Sequence, residues 1–352
     1  MRPSLKPWRD SASIILVAKT AFAPAKKQSD FNYKLLSIKR SSRSGFMPGT
    51  YVFPGGAICK ADVSRDWLKL YEDFGFKYDS FDKLNPKDNR PKLFKDTNDV
   101  DLPKFLSLRI GAIRETFEEC GILICRSYKI NYKERIARWG SFIDLPEIKK
   151  WQLKVHDDPE KFIEMCRKFE IYPDVWSLKE WANWVTPPSL PIRFDVAFFL
   201  TAFQQTPAAY AEEMEVSHLE WGTPADYLTR NRNEEILLPP PQFYEMCRLK
   251  NFLDIDNLLK FSGERAVHGV ERYFPSRVDT KDGLYSILPG DDLYPESIDE
   301  TNDQVPFVDK LPASHVQNRI LHRSPYNNAV FTLNFKPKCN HILPSNYPVN
   351  KL

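Results

Sequence analysis

Glycine is scarce in this chain, 13 among 352 residues against 28 prolines. That balance argues against floppy linkers and predicts fixed loops and sharply ended elements. Cysteine is thinner still: Cys59, Cys120, Cys125, Cys166, Cys247 and Cys339 include no C-x-x-C pair. The spacing gives no disulfide framework, and a zinc site on Cys339 and His341 would lack two ligands, so reduced thiols of an intracellular protein are expected. No apolar run approaches the ~20 residues of a membrane span. Val196–Phe203 is among the longest, and Thr201 interrupts it. Near the start, Arg2, Lys6, Arg9 and Asp10 precede Ile14–Ala18, too short and too charged for a secretory signal. Nor is there an excess of one charge, since 50 Lys+Arg against 47 Asp+Glu leaves +3. The basic footprint of a nucleic-acid binder is therefore missing, and neither nucleic acid nor membrane is expected as a partner. With 42% apolar and 28% charged residues, the chain has ordinary globular composition.

What is present reads as alternating strands and helices. Ser11–Lys19 and Lys34–Lys39 are rich in β-branched and aliphatic residues and predict strands, with a polar loop at Phe22–Tyr33. A turn-rich stretch, Ser41–Gly49, leads to a short strand at Thr50–Phe53 and to Pro54-Gly55-Gly56. Residues 60–104 change character, with many charges and few apolar anchors, and read as a surface insertion holding one short helix near Trp67–Phe74. Leu106, Ile110, Ile113 and Phe117 then step by 4, 3 and 4 into one helical stripe, with Gly121 placed as a C-terminal cap. Residues 131–184, which carry five tryptophans, read as mostly helical. Arg193–Gln204 reads as an apolar strand, Met214–Leu219 as a further short one, and Gln242–Phe261 as helical; short strands and Pro-rich loops follow.

The chemistry concentrates in Arg114-Glu115-Thr116-Phe117-Glu118-Glu119-Cys120-Gly121-Ile122. At 100° per residue Glu118 lies ~60° to one side of Glu115 and Glu119 ~40° to the other, so the three carboxylates share a face opposite Ile113 and Phe117. Like charges at these spacings oppose a helix by ~0.2–0.5 kcal/mol per pair. Acids near a helix C-terminus also meet an unfavourable dipole. Two readings remain open from the helix alone. Either it is a solvated acidic face softened by an Arg114–Glu118 pair, or a hard divalent cation such as Mg²⁺ or Mn²⁺ compensates it.

R-E-x-x-E-E-x-G plus an apolar residue, after a strand ending Phe53-Pro54-Gly55-Gly56, resembles the nudix box G-x5-E-x7-R-E-U-x-E-E-x-G-U. Arg114 follows Gly56 by 58 positions where that pattern has 14, an excess of 44 that residues 60–104 would absorb. Counted back from Arg114, the first box Glu falls on Leu106, and Thr116 stands at a usually apolar position. An interrupted box, Lys39-Arg40-Ser41…Gly45-Phe46-Met47-Pro48-Gly49, Trp184-Val185-Thr186-Pro187…Arg193-Phe194-Asp195, Leu288-Pro289-Gly290-Asp291 and Leu293-Tyr294-Pro295 together resemble one branch. That branch is the nudix motif 19 type, the peroxisomal acyl-coenzyme A diphosphatases.

The resemblance implies an α/β protein of nudix fold, a mixed sheet in an α/β/α sandwich, with a long insertion in the box and added helical segments. A nudix domain over 1–230 and a C-terminal extension over 231–352 packed on it are expected. It implies metal-dependent hydrolysis of coenzyme A and acyl-CoA to 3′,5′-ADP and (acyl-)4′-phosphopantetheine. Glu115, Glu118, Glu119 and the Gly55 carbonyl would hold Mg²⁺ or Mn²⁺, and Arg114 would brace the carboxylates. Some nudix enzymes use a further acid from a later strand or loop, and Glu212, Glu213 and Glu215 are the candidates here, with solvated surface charges as the alternative reading. Lys39, Arg40, Arg43 and Arg193 are candidates for substrate phosphates, with an Arg193–Asp195 ion pair as the alternative for the last. An ADP-ribose, nucleotide-sugar or NAD-type pyrophosphatase is the alternative activity, and a catalytically inactive ligand-binding module the alternative of another class. Asn350-Lys351-Leu352 resembles a C-terminal peroxisomal signal, so a peroxisomal import receptor is the expected macromolecular partner; mitochondrial or cytosolic residence is the alternative.

Overall fold

The first strand already dictates a layered architecture. β1 (Arg9–Lys19) sends Ala12, Ile14, Leu16 and Ala18 into one apolar cluster and Ile15 and Val17 into another. A strand buried on both faces needs a layer on each side. The computed structural model describes residues 7–20, 31–96, 98–128, 139–212, 214–322 and 329–345; Glu213 and Asn350-Lys351-Leu352 lie outside them.

After β1 come β2 (Tyr33–Arg40), β3 (Tyr51–Val52), β4 (Gly55–Ala57), α1 (Asp66–Asp73) and α2 (Lys104–Cys120). β5 (Cys125–Arg126), α3 (Ile148–Asp157), α4 (Lys161–Lys168), β6 (Tyr172–Pro173), β7 (Lys179–Val185) and β8 (Phe194–Phe203) follow. Then come β9 (Val216–Gly222), α5 (Pro224–Arg232), α6 (Pro240–Leu249), α7 (Ile255–Ala266) and β10 (Arg272–Tyr273). The remaining strands are β11 (Ser276–Thr280), β12 (Gly283–Ile287), β13 (Phe307–Val308), β14 (Asn318–His322) and β15 (Ala329–Leu333).

The central sheet runs β10-β7-β8-β1-β2-β3, with β4 added to β1 and β9 to β2. β1 and β8 are parallel while β1 and β2 are antiparallel, so the sheet is mixed, as expected. α1 to α4 cover one face; α5 to α7 and a second sheet, β13-β11-β12-β14-β15, cover the other. The C-terminal residues are woven into this plan, since β10 pairs with β7 at the sheet edge.

Two expectations fail here. Residues 60–104 form more than a surface insertion: Trp67, Leu70, Tyr71, Phe76, Phe81 and Leu84 are all buried in the core cluster that backs α2. Phe81 and Trp176 meet the Tyr71 ring edge-on, at centroid distances of 5.1 and 5.5 Å, and Phe81 stacks on Trp176. The charges between these rings masked that spacing in the sequence. Secondly, the helical reading of 131–184 is right for α3 and α4 and wrong at its end. Trp181 and Trp184, three apart as on a helix, belong to β7. A bulge between Glu180 and Ala182 shifts the register against β8. The extra residue lets both indoles reach one side, where their Nε1 atoms donate to the two oxygens of Glu245, each at 2.8 Å.

Candidate active site

α2 starts after Pro103 and stops at Gly121, whose φ of 66° is left-handed and whose N–H donates to Phe117 O at 2.8 Å. Leu106, Ile110, Ile113 and Phe117 are wholly buried, fixing the rotation of the helix. The helix lies against β1 and β4 and turns its acids to the Gly55–Gly56 loop. Both glycines are required by that closeness. Gly55 has φ of 147° with the Ala12 carbonyl where a Cβ would stand, and a Cβ on Gly56 would strike the Glu115 carboxylate.

Arg114 is buried beneath these acids and binds three carboxylates at once. Its Nη2 donates to Glu115 Oε1 at 2.8 Å and its Nη1 to Glu118 Oε1 at 2.6 Å. The third partner is Asp62, which takes Nε on Oδ1 at 2.8 Å and Nη2 on Oδ2 at 2.9 Å in a two-pronged bond. Asp62 has no exposed surface, and the Cys59 N–H also donates to it at 2.9 Å. Asp62 was missed because the box was counted backwards from Arg114. Counted forward, G-x5-E from Gly56 lands on Asp62. The first box carboxylate is therefore present, one methylene shorter, and the extra residues enter after it. Leu106 does not replace it; Leu106 belongs to the core stripe.

Burial pushes the carboxyls of Glu115 and Glu118 up to about 7, against the pull of Arg114. Burial and the Glu115 charge push Glu119 well above the carboxylate range, although the Gly55 N–H donates to its Oε2 at 2.8 Å. As the side chains stand, no three His, Cys, Asp or Glu groups converge on one point among the described residues. Arg114 and Gly55 explain this, each drawing carboxylate oxygens toward itself. The donor chemistry still fits a hard divalent cation: three crowded carboxylates on one face, with one oxygen of each outside the bonds just named.

A pH dependence follows with a definite sign. A carboxyl whose pKa is raised by folding binds its proton more tightly when folded, so apo stability falls as pH rises from 4.5 through about 7. A cation displaces those protons, so it should stabilise more at pH 8 than at pH 5.5. Melting curves with chelator or with Mg²⁺ across that range should show the metal-induced rise in Tm growing with pH. A rise independent of pH would contradict the assignment.

Glu115, Glu119, Gly55 and Gly56 line one end of a cavity of about 400 Å³. The parallel register pairs Arg9 with Phe194, Ser11 with Val196 and Ser13 with Phe198. These residues point to one face and form its floor. Phe46, Met47, Phe53, Leu190 and Pro239–Pro241 make apolar walls. Trp184 also lines it, from β7 and from within the core cluster on that face.

Only part of the expected cationic cluster reaches this cavity. Arg40 lines it, pinned by Nε bonds to Ser44 Oγ and Phe46 O, both 3.0 Å. Lys39, next along β2, faces away over the Tyr51 ring, and Arg43 is exposed on the following turn. Arg193 is buried outside the lining; its Nη2 donates to Pro188 O at 2.6 Å and its guanidinium covers Trp8. The Arg193–Asp195 pair is not formed, because Asp195 bonds Asn183 at 2.6 Å and Arg272 at 3.2 Å. Among the later acids Glu215 lines the cavity, whereas Glu212 accepts from Met214 and Glu215 N–H groups in its own turn. Arg9, Arg277, Ser286 and His322 also line it and were not read from the sequence.

Residues 8–249 match the family model of the NUDT19 Nudix domain. Curated relatives named acyl-coenzyme A diphosphatase NUDT19 are similar almost end to end. The Xenopus laevis protein is 35% identical over 98% of this chain and 97% of its own length. The Homo sapiens protein is 34% identical over 100% and 98%. A crystal structure of a NUDIX hydrolase from Alicyclobacillus acidocaldarius shares the fold at 22% identity and TM-score 0.53, covering 73% of this chain and 97% of that one. With a box helix, a glycine loop and a displaced first carboxylate in register, the matched length leaves one assignment: this chain belongs to the NUDT19 family of Nudix hydrolases.

Proposed function

We propose that the protein hydrolyses the diphosphate of coenzyme A and acyl-CoA esters, releasing 3′,5′-ADP and 4′-phosphopantetheine or its acyl derivative. The observation that carries this reading is one cavity lined by carboxylates, by Arg9, Arg40 and Arg277, which form no ion pair among the described residues, and by apolar walls. That combination suits a ligand with a diphosphate, further anionic charge and a long neutral arm. The nearly full-length relatives named acyl-coenzyme A diphosphatase support the same substrate class.

Glu115, Glu118 and Glu119 would hold the divalent cation, for which we propose Mg²⁺ or Mn²⁺, with the Gly55 carbonyl as a further donor. When bound, such a cation neutralises charge on the transferring phosphoryl group and lowers the pKa of water. Arg114 and Asp62 keep the carboxylates aimed at the glycine loop, so they need not reorganise as charge develops. Arg40 stands where it can take a phosphate oxygen in its guanidinium fork. Glu215 places a fourth carboxylate at the same end, suited to accepting a proton from the attacking water. Glu215→Gln should lower kcat about 10- to 100-fold with little change in KM. A change in KM alone would give Glu215 a binding role instead.

Steady-state kinetics with coenzyme A, an acyl-CoA, ADP-ribose and NADH under Mg²⁺ or Mn²⁺ tests the substrate class. The highest kcat/KM is expected for the coenzyme A compounds. Preference for ADP-ribose or NADH would transfer the protein to the alternative pyrophosphatase class, and no turnover of any substrate would leave a ligand-binding module.

A further inference from the structure

The cavity carries a second group of cations, Arg9 and Arg277, drawn from positions far apart in the chain. Arg9 opens β1, four residues before Ser13, which pairs with Gly55. At ~3.3 Å per residue its Cα is about 13 Å from the glycine loop. Its N–H donates to Arg193 O at 3.0 Å, which fixes it beside the 186–193 loop. Arg277, from β11 of the second sheet, reaches the same loop, with Nη1 donating to Ser189 Oγ at 3.0 Å. Next to Arg277 on β12 is Ser286, whose hydroxyl is 3.0 Å from His322 Nε2.

The charges at this end are uncompensated. Several buried arginines elsewhere meet acids, Arg109 with Glu180, Arg126 with Asp174, Arg248 with Glu245 and Arg319 with Asp291, whereas Arg193 and Arg265 donate to backbone carbonyls. Even Arg272, five residues before Arg277, pairs with Asp195. Among the described residues no carboxylate pairs with Arg9 or Arg277. Arg9 is exposed and Arg277 half-buried, so both guanidinium groups are open to an anion that enters the cavity. Burial and the Arg277 charge hold His322 down at about 4, so this imidazole is neutral and does not add to the repulsion. It remains a hydrogen-bonding partner to Ser286.

We infer that Arg277 and Arg9 form a clamp for the ribose 3′-phosphate of the substrate, making the C-terminal sheet a specificity element for bisphosphorylated nucleotides. The inference rests on the coenzyme A reading of the same cavity. With the diphosphate at the carboxylate end, a phosphate on the sugar's 3′ oxygen is the remaining anion of that substrate. The pantetheine arm is neutral and gives two arginines nothing to pair with. Arg277 lies outside residues 8–249, so the clamp is assembled from the Nudix domain's first strand and the sheet added behind it.

The test compares coenzyme A with dephospho-coenzyme A, which lacks that phosphate, on the full chain and on Arg277→Gln and Arg9→Gln. Wild type should favour coenzyme A in kcat/KM, and each variant should cut that ratio at least ~10-fold, the size of a lost charge-assisted bond. Calorimetric titration with 3′,5′-ADP and AMP should show the same loss of preference without turnover. Arg9 is exposed, so its variant keeps the test open should Arg277→Gln fold poorly. An unchanged ratio in folded variants would overturn the clamp; so would an equal fall for both substrates, which would put these arginines on the diphosphate. Absence of coenzyme A hydrolysis by wild type would instead remove the functional reading itself.

Discussion

Glu119→Gln should lower kcat by at least ~10²-fold while the protein stays folded. Glu119 is almost completely buried, and its one named bond accepts the Gly55 N–H at 2.8 Å. A glutamine carbonyl can accept the same bond in the same volume, so the loop keeps its anchor. What disappears is one negative charge from a site that gathers charge to bind a cation. Losing electrostatic stabilisation of about 3 kcal/mol at the transition state corresponds to that fold-change. At a pH high enough to ionise Glu119, whose burial holds its carboxyl well above the usual range, the apo protein should become slightly more stable, because the charge removed there repelled Glu115. Activity and stability therefore move in opposite directions, which a merely structural residue would not produce. Stopped assays and thermal melts on one preparation check both; full activity would discard the site assignment.

Asp62→Ala should be the most destabilising single change at the site. Asp62 is unexposed and answers the Arg114 guanidinium with both oxygens. Removing one member of a buried pair costs ~3–5 kcal/mol, since the remaining charge stays desolvated. Glu115 and Glu118 still hold Arg114, so the lower part of that range is expected. Freed on one side, Arg114 would pull harder on those two carboxylates, and kcat should fall with the stability. Asp62→Glu, which restores the residue type of the box, should recover most of both. Urea unfolding of the three proteins measures the effect. A loss below ~1 kcal/mol would show that Asp62 is not the brace.

Local patterns in the sequence carried the helix and its chemistry. The 4-3-4 stripe, Gly121 and the three acids lie within one element, and helical geometry alone puts the acids on one face. The mixed sheet and its two covering layers follow only from the resemblance to the nudix box, and β1, buried on both faces, bears them out. Asp62 was harder because 52 residues separate it from Arg114, and only the direction of counting finds it. β7 misled because a bulge gave two tryptophans helical spacing. Lys39 and Arg40 read as one cationic pair, but neighbours on a strand face opposite ways, and only Arg40 lines the cavity. Arg9, Arg277, Ser286 and His322 meet through the packing of a second sheet against the first, which no window of sequence contains.

We place cleavage of the coenzyme A diphosphate at the acids of α2, which Arg114 and Asp62 hold against the Gly55–Gly56 loop. Mass spectrometry of the products from coenzyme A with Mg²⁺, for wild type and Glu119→Gln side by side, tests it most directly. Wild type should yield 3′,5′-ADP and 4′-phosphopantetheine, and the variant only traces of either. Cleavage at another bond, or equal product from both proteins, would contradict it.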